Sequence, residues 1–375
     1  MVSRDQQNPV DLSMSGRTAR QKISQFVRLG LLGGGVCGGL LLQRQDPAAS
    51  RSLSFILHKC LDAEDIQRAA VFALSRGWYF RCRLEEKPEL RVKLWGLDFS
   101  NPVGIAAGFD KRGEAVQGLR DIGFGFVEVG SVTPEPQESN RLALLNINEH
   151  EYGVNSEAPA EVRRRLERLR AAGSFSGVLG VNLGSNKASA SAAADFSAGV
   201  REFSHLADYL VISISRPGPD TLTRQELASL VTAVLAARQE LGPAHPPPLL
   251  LSLAADLTEE ELRDIAEVAA APDTMVEGLV VRGTATIRRM YALTRGRVAI
   301  VGAGGVASGE EAWQKVLAGA SLVQVRTGLV QQGPALAATV RRELEVLVRE
   351  AGYSSIQEAV GASLKHSSPS LKTSL

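Results

Sequence analysis

The chain has 375 residues, 44% hydrophobic and 22% charged, an ordinary globular composition with room for one large core plus extensions. Its formal net charge is +1, so no global field draws it to nucleic acid or to acidic partners. The three cysteines, Cys37, Cys60 and Cys82, are far apart and the five histidines show no ligand spacing, so neither a disulfide framework nor a metal site is expected.

The front of the chain is basic. Arg4, Arg17, Arg20, Lys22, Arg28, Arg44 and Arg51 stand against Asp5, Asp11 and Asp46. A basic, serine-containing, acid-poor leader reads as a mitochondrial transit peptide. Within it, Leu29 to Leu42 carries no charge. That run is shorter than the ~20 apolar residues of a spanning helix, and its glycines weaken it as an isolated helix. Lengthened by Phe26, Val27 and a snorkelling Arg28, it reads as a short membrane anchor; the alternative is a cleaved or disordered leader. The leader is placed at 1–50, with QDPAAS (45–50) as its linker.

Residues 51–78 read as two short helices. Asp62 is positioned to cap the second, Ile66, Ala70 and Leu74 form its apolar stripe, and Gly77 stops it. Such a pair is either a membrane-facing platform or a simple collar to the main domain.

From residue 102 a rhythm sets in. Apolar, strand-like runs occur at 103–108, 126–132, 178–184, 209–215, 249–255, 275–281, 298–305 and 321–328. Between them lie Ala-, Glu-, Arg- and Leu-rich stretches with helical spacing, such as AEVRRRLERLRAAG. Eight alternations predict a parallel (β/α)8 TIM barrel over 79–362, an α/β fold, with a disordered tail at 363–375. A doubly wound open sheet is the alternative, but no G-x-G-x-x-G follows the first strand.

Barrel logic puts a ligand at the C-terminal ends of the strands, with phosphate favoured by the loops after strands seven and eight. Those loops are GAGG (302–305) and RTG (326–328). Glycine lets backbone N–H groups approach phosphate oxygens closely, so a phosphorylated ligand is suggested. The fourth strand runs into VISISRPGPD (211–220), where Ser213, Ser215 and Arg216 precede a Pro/Gly loop.

NPVGIAAGFDKRGEAVQGLRDIGFGFVEVGSVTPEPQ (101–137) resembles the first two β/α units of class 2 dihydroorotate dehydrogenases, the membrane-associated, quinone-dependent type. The likeness continues through LGVNLGSNK (179–187), ADLT (255–258), MYALTRGRVAIVGAGGVASG (290–309) and AGASLVQVRTGL (318–329), and spans roughly residues 50 to 362. It implies FMN at the mouth of the barrel, dihydroorotate oxidised to orotate against it, ubiquinone as electron acceptor, and a place in pyrimidine biosynthesis at the mitochondrial inner membrane. The helices of residues 51–78 would then flank the quinone tunnel.

The resemblance also implies roles. Ala106, Ala107 and Gly108 match the turn under the flavin ring. Lys111 matches a lysine near flavin and substrate, and Ser131 and Asn182 match polar contacts to isoalloxazine and ribityl groups. Gly304, Gly305 and Thr327 match the phosphate site. Arg326 stands where the family has tyrosine.

The substrate side departs from the pattern. The family's catalytic serine aligns with Arg216, which is always protonated and has no lone pair to accept a proton. Two flanking asparagines become Ser213 and Gly218, and a further asparagine aligns with His150, ahead of Tyr152. The lysine of strand five becomes Ser252, and the end of strand six reads Arg282, Gly283, Thr284, Ala285. An arginine- and proline-rich loop after 136–140, and a longer covering loop between Thr284 and Ile287, are missing. The expectation is a flavoprotein with impaired or absent turnover. The alternatives are a non-catalytic scaffold at the inner membrane, or an active dehydrogenase whose base has moved to Ser215.

Overall fold

The computed structural model describes residues 47–137, 156–214, 222–242 and 246–365. The basic leader, Arg216, Ser215, Gly218, His150, Tyr152 and the last residues of the tail lie outside them.

Two helices come first, α1 (Pro47–Cys60) and α2 (Ala63–Ser75). The Asp62 side chain accepts from the Asp65 N–H at 2.8 Å and so caps α2, while Ile66 and Leu74 bury its inner face. The stretch expected to be a linker is helical from Pro47 onward. Proline is tolerated in a first helical turn, where its missing N–H has no partner to lose, so it opens α1 instead of separating domains.

A β-hairpin follows, β1 (Val92–Leu94) and β2 (Leu97–Phe99), turning through Trp95 and Gly96, both at positive φ. The Trp95 indole donates to the Glu277 carbonyl at 2.8 Å and lies 5.9 Å from the Tyr209 ring. It plugs the end of the barrel where the strands begin, opposite the expected ligand mouth.

All eight expected strands form: β3 (Val103–Ile105), β4 (Phe126–Val132), β5 (Val178–Leu183), β6 (Tyr209–Ser213), β7 (Leu249–Ser252), β8 (Gly278–Arg282), β9 (Ala299–Ala303) and β10 (Leu322–Val325). They pair in parallel, each with its neighbour in sequence, and β10 closes on β3. Outside them run α3 (Val116–Asp121), α4 (Pro159–Ala171), α5 (Ala192–Phe203), α6 (Arg224–Gln239), α7 (Glu259–Ala270), α8 (Thr284–Thr294), α9 (Gly309–Ala318), α10 (Thr327–Gln332), α11 (Leu336–Glu350) and α12 (Ala362–Lys365). The last of these continues into residues expected to belong to the disordered tail. Thr223 with Glu226, and Thr258 with Glu261, form capping boxes that satisfy the first N–H groups of α6 and α7.

The shortened sixth unit does not open the sheet. β8 pairs with β7 from Leu250↔Gly278 to Ser252↔Val280, and with β9 from Gly278↔Ala299 to Arg282↔Ala303. Gly283, at φ 79°, turns the chain directly into α8, whose Ile287 and Met290 are fully buried.

Rings seated over glycines fill the interior. Gly104 pairs in register with Phe126, and Gly180 with Tyr209. A Cβ at Gly104 would stand 2.3 Å from the Phe126 ring, and one at Gly180 would stand 2.2 Å from the Tyr209 ring. Each ring therefore occupies the side-chain space its partner gave up. Gly180→Ala should destabilise the barrel by about 1–3 kcal/mol through overpacking, read as a lower urea midpoint with an unchanged m-value.

Candidate functional site

The C-terminal ends of the strands form the mouth. There the Ala106 N–H donates to the Val325 carbonyl at 2.9 Å, and the Gly108 N–H donates to the Gly130 carbonyl at 2.7 Å. The turn Ala106–Ala107–Gly108 is thus tied to β10 on one side and β4 on the other. Gly108 sits at φ 90° under the Arg326 guanidinium, whose atoms would be 3.3 to 3.5 Å from an added Cβ. Only glycine meets both the backbone angle and that approach.

Beyond the turn, the buried Asp110 carboxylate accepts the N–H groups of Glu114 and Ala115 at 2.9 and 2.7 Å and fixes the start of the first β/α connection. Burial pushes this carboxyl up, and those two N–H groups oppose it. Lys111 is partly exposed at the rim. Its ammonium is pushed down by burial and by the positive charge of Arg326, with Glu64 of α2 acting the other way.

A second cluster lies on β4 and β5. The Ser131 hydroxyl donates to Asn182 Oδ1 at 2.5 Å, and Asn182 Nδ2 donates to Glu128 Oε1 at 2.9 Å. Asn182 is 4% exposed and Glu128 1%, while Ser131 reaches the mouth. Glu128 also accepts from Gln324 Nε2 at 2.5 Å and from the Tyr209 hydroxyl at 3.1 Å. Sequence reasoning missed Glu128. Its signal was a carboxylate in the middle of the apolar run FVEVGSV, where an unpaired charge would be prohibitive.

On the far side of the mouth, Gly304 and Gly305 are exposed at φ 73° and 62°, and a Cβ at Gly305 would meet no atom within 4 Å. Thr327, also exposed, opens α10. Gly328 packs so tightly on this loop that a Cβ there would stand 2.4 Å from the Val306 carbonyl. The two glycine loops are therefore neighbours. They offer open backbone at a helix start, a surface that suits a phosphate group. The cradle under Gly108, the polar pair Ser131 and Asn182, and this double-glycine turn together fit FMN.

The fourth and fifth strands end differently. Ser213 and Ser252 are Cα partners, and the Ile214 N–H donates to the Ser252 carbonyl at 3.2 Å. Ser252 is 8% exposed. Gly283 is exposed and Thr284 half-buried where β8 gives way to α8. The structure thus gathers Ala106, Ala107, Gly108, Lys111, Ser131, Asn182, Ser213, Gly283, Thr284, Gly304, Gly305, Arg326 and Thr327 at one end of the barrel.

The helical pair leans on this mouth. Gln67 Nε2 of α2 donates to the carbonyls of Gly108 and Phe109 at 2.6 and 2.8 Å. The Ser50 hydroxyl of α1 donates to the Gln332 carbonyl at 2.7 Å, at the end of α10. Among the described residues, no helix is long and apolar enough to cross a membrane.

Comparison with known proteins agrees with this geometry. The family model described as dihydroorotate dehydrogenase matches residues 89–284 and 276–348. The chain is 38% identical to the mitochondrial dihydroorotate dehydrogenase (quinone) of Arabidopsis thaliana, over 93% of this chain and 92% of that protein. It is 41% identical to the mitochondrial dihydroorotate dehydrogenase (quinone) of Mus musculus, over 81% and 88%. The crystal structure of the Eimeria tenella dihydroorotate dehydrogenase in complex with ferulenol superposes with a TM-score of 0.73 at 33% identity, covering 81% of this chain and 96% of that one.

Gln67→Leu removes both hydrogen bonds from α2 to the carbonyls of Gly108 and Phe109. It should loosen the helical pair locally by about 1–3 kcal/mol, seen as faster amide exchange across Ala63–Ser75 with the barrel's own exchange unchanged.

Proposed function

Because the chain belongs to the dihydroorotate dehydrogenase family, we propose that it is a quinone-linked FMN flavoprotein of that lineage, with its flavin shell kept and its proton-removing side replaced. Its partners would be dihydroorotate and orotate on one side and ubiquinone on the other. Its location would be the mitochondrial inner membrane, reached by the basic leader and anchored there by its uncharged run. Bound FMN would supply the two-electron acceptor for substrate oxidation.

The residues divide by task. Gly304, Gly305 and Thr327 hold the phosphate through backbone N–H groups and a hydroxyl. Ser131 and Asn182 bind polar edges of the cofactor, and Ala106, Ala107 and Gly108 form the surface against which its ring lies. Lys111, with its ammonium weakened by burial and by Arg326, contacts ligand at the rim. Gln67 ties the helical pair to the same turn, which supports a quinone entrance beside the cofactor.

On the substrate side a proton must leave carbon as the hydride departs. Arg216 cannot take it, because a guanidinium has no acceptor lone pair. The observation that carries this reading is the pairing of Ser213 with Ser252 at the ends of β6 and β7. Two short neutral side chains stand where the family pattern has an asparagine and a lysine, so neither reach nor positive charge is left there. Loss of a general base slows a reaction ~10²–10⁴-fold. The lost positioning groups act on the same step and add to that without summing simply.

The full-length protein should purify yellow with one FMN per chain. Its bound flavin should bleach with dithionite but react with dihydroorotate ~10²–10⁴-fold more slowly than that of the mouse relative measured alongside. Equal rates would overturn the impairment. A colourless protein that takes up no FMN would favour the scaffold reading.

A further inference from the structure

The network beneath Ser131 fixes more than a position. Glu128 lies inside the barrel and receives three hydrogen bonds, from Asn182 Nδ2, Gln324 Nε2 and the Tyr209 hydroxyl, at 2.9, 2.5 and 3.1 Å. Among the described residues, each of its hydrogen-bond partners is a donor. An ionised carboxylate only accepts, and the three donors satisfy both of its oxygens. Burial raises the carboxyl above the usual carboxylate range, and the bonds from Asn182, Gln324 and Tyr209 oppose that rise without cancelling it; the accepting role of Glu128 rests on the geometry of its three donors.

The consequence runs outward. An asparagine amide has a donating end and an accepting end. With its NH2 turned to Glu128, its Oδ1 must face the other way, where Ser131 Oγ stands 2.5 Å off. The serine has one hydrogen, and Asn182 Oδ1 takes it. What Ser131 shows to the mouth is then lone pairs alone.

We infer that Glu128 is a positioning residue that sets the polarity of Ser131 through Asn182, so that Ser131 meets its ligand as a hydrogen-bond acceptor. The group it takes must carry an N–H or an O–H. This rests on the flavin reading, in which that group belongs to FMN, whose imide N–H and ribityl hydroxyls are donors of the required kind.

Glu128→Gln gives the inference its sharpest test, since it keeps size and shape. The glutamine has one accepting atom. If that oxygen serves Gln324 and Tyr209, its NH2 opposes the NH2 of Asn182, and the Asn182 amide must turn over. Asn182 then donates to Ser131, the serine hydrogen swings to the mouth, and a donor faces a donor. The effect should therefore exist only while residue 131 carries a hydroxyl.

The experiment is a double-mutant cycle on the full-length protein stripped of flavin and titrated with FMN, read by quenching of flavin fluorescence. Glu128→Gln should raise the FMN Kd about tenfold in the Ser131 background and less than about twofold beside Ser131→Ala. Should Glu128→Gln fail to fold, as judged by its thermal melt, Asn182→Ala replaces it, and its loss should likewise be larger with Ser131 than with alanine. Equal losses in the two backgrounds, or none with Ser131 present, would overturn the relay. A wild-type protein that binds no FMN would instead sink the flavin reading and this inference with it.

Discussion

The pairing of β10 with β3 is the constraint on which the mouth depends. A parallel sheet of eight strands closes only if its last strand meets its first. Here the meeting continues past the ladder, where the Ala106 N–H donates to the Val325 carbonyl. That bond places the turn Ala106–Gly108 against Arg326 at the start of α10. It also sets α10 where α1 rests upon it, through Ser50 and the Gln332 carbonyl. Closure, the position of the Ala106–Gly108 turn and docking of the N-terminal helices are thus successive consequences of one seam.

Inside the barrel two kinds of packing divide the height. Near the strand starts, Trp95, Phe99, Phe126 and Tyr209 stack edge to face or tilted, with centroids 5.5 to 6.4 Å apart, over glycines that give them room. Toward the mouth the filling turns polar, with Glu128, Asn182 and Gln324. Tyr209 joins the layers, its ring in the aromatic stack and its hydroxyl on Glu128. One carboxylate therefore links β4, β5, β6 and β10 by side-chain bonds that no ladder supplies.

Much of this was legible in the sequence. The eight apolar runs were visible because strands buried on both faces need almost unbroken β-branched and aliphatic residues. Boundaries were less so. The sixth run was read from Met275, yet the Val276 N–H bonds to Ala269 at the end of α7, and the strand begins at Gly278. Apolarity reports burial, not the destination of a backbone N–H. Pro47 looked like punctuation and opens a helix instead. Glu128 stayed hidden for another reason, since its partners Asn182, Tyr209 and Gln324 lie 54, 81 and 196 residues away along the chain. Trp95 gave no hint that a hairpin would carry it across the barrel floor to the Glu277 carbonyl. The glycine loops at 304–305 and 326–328 were readable because a positive φ and a close approach leave few other choices.

The two sides of the mouth differ in the chemistry of their residues. The β3, β4, β5, β9 and β10 ends carry glycines, small hydroxyls and an amide, which suit a flavin nucleotide. The β6 and β7 ends carry Ser213 and Ser252, with Arg216 following in the chain. The proposed impairment ties proton abstraction to these positions, so restoring the family's residues there should raise the rate. The direct measurement is stopped-flow bleaching of the bound flavin by dihydroorotate in the Arg216→Ser, Ser252→Lys double variant against the parent. A gain of ~10²-fold or more is expected; a parent that already bleaches as fast as the variant would contradict the account.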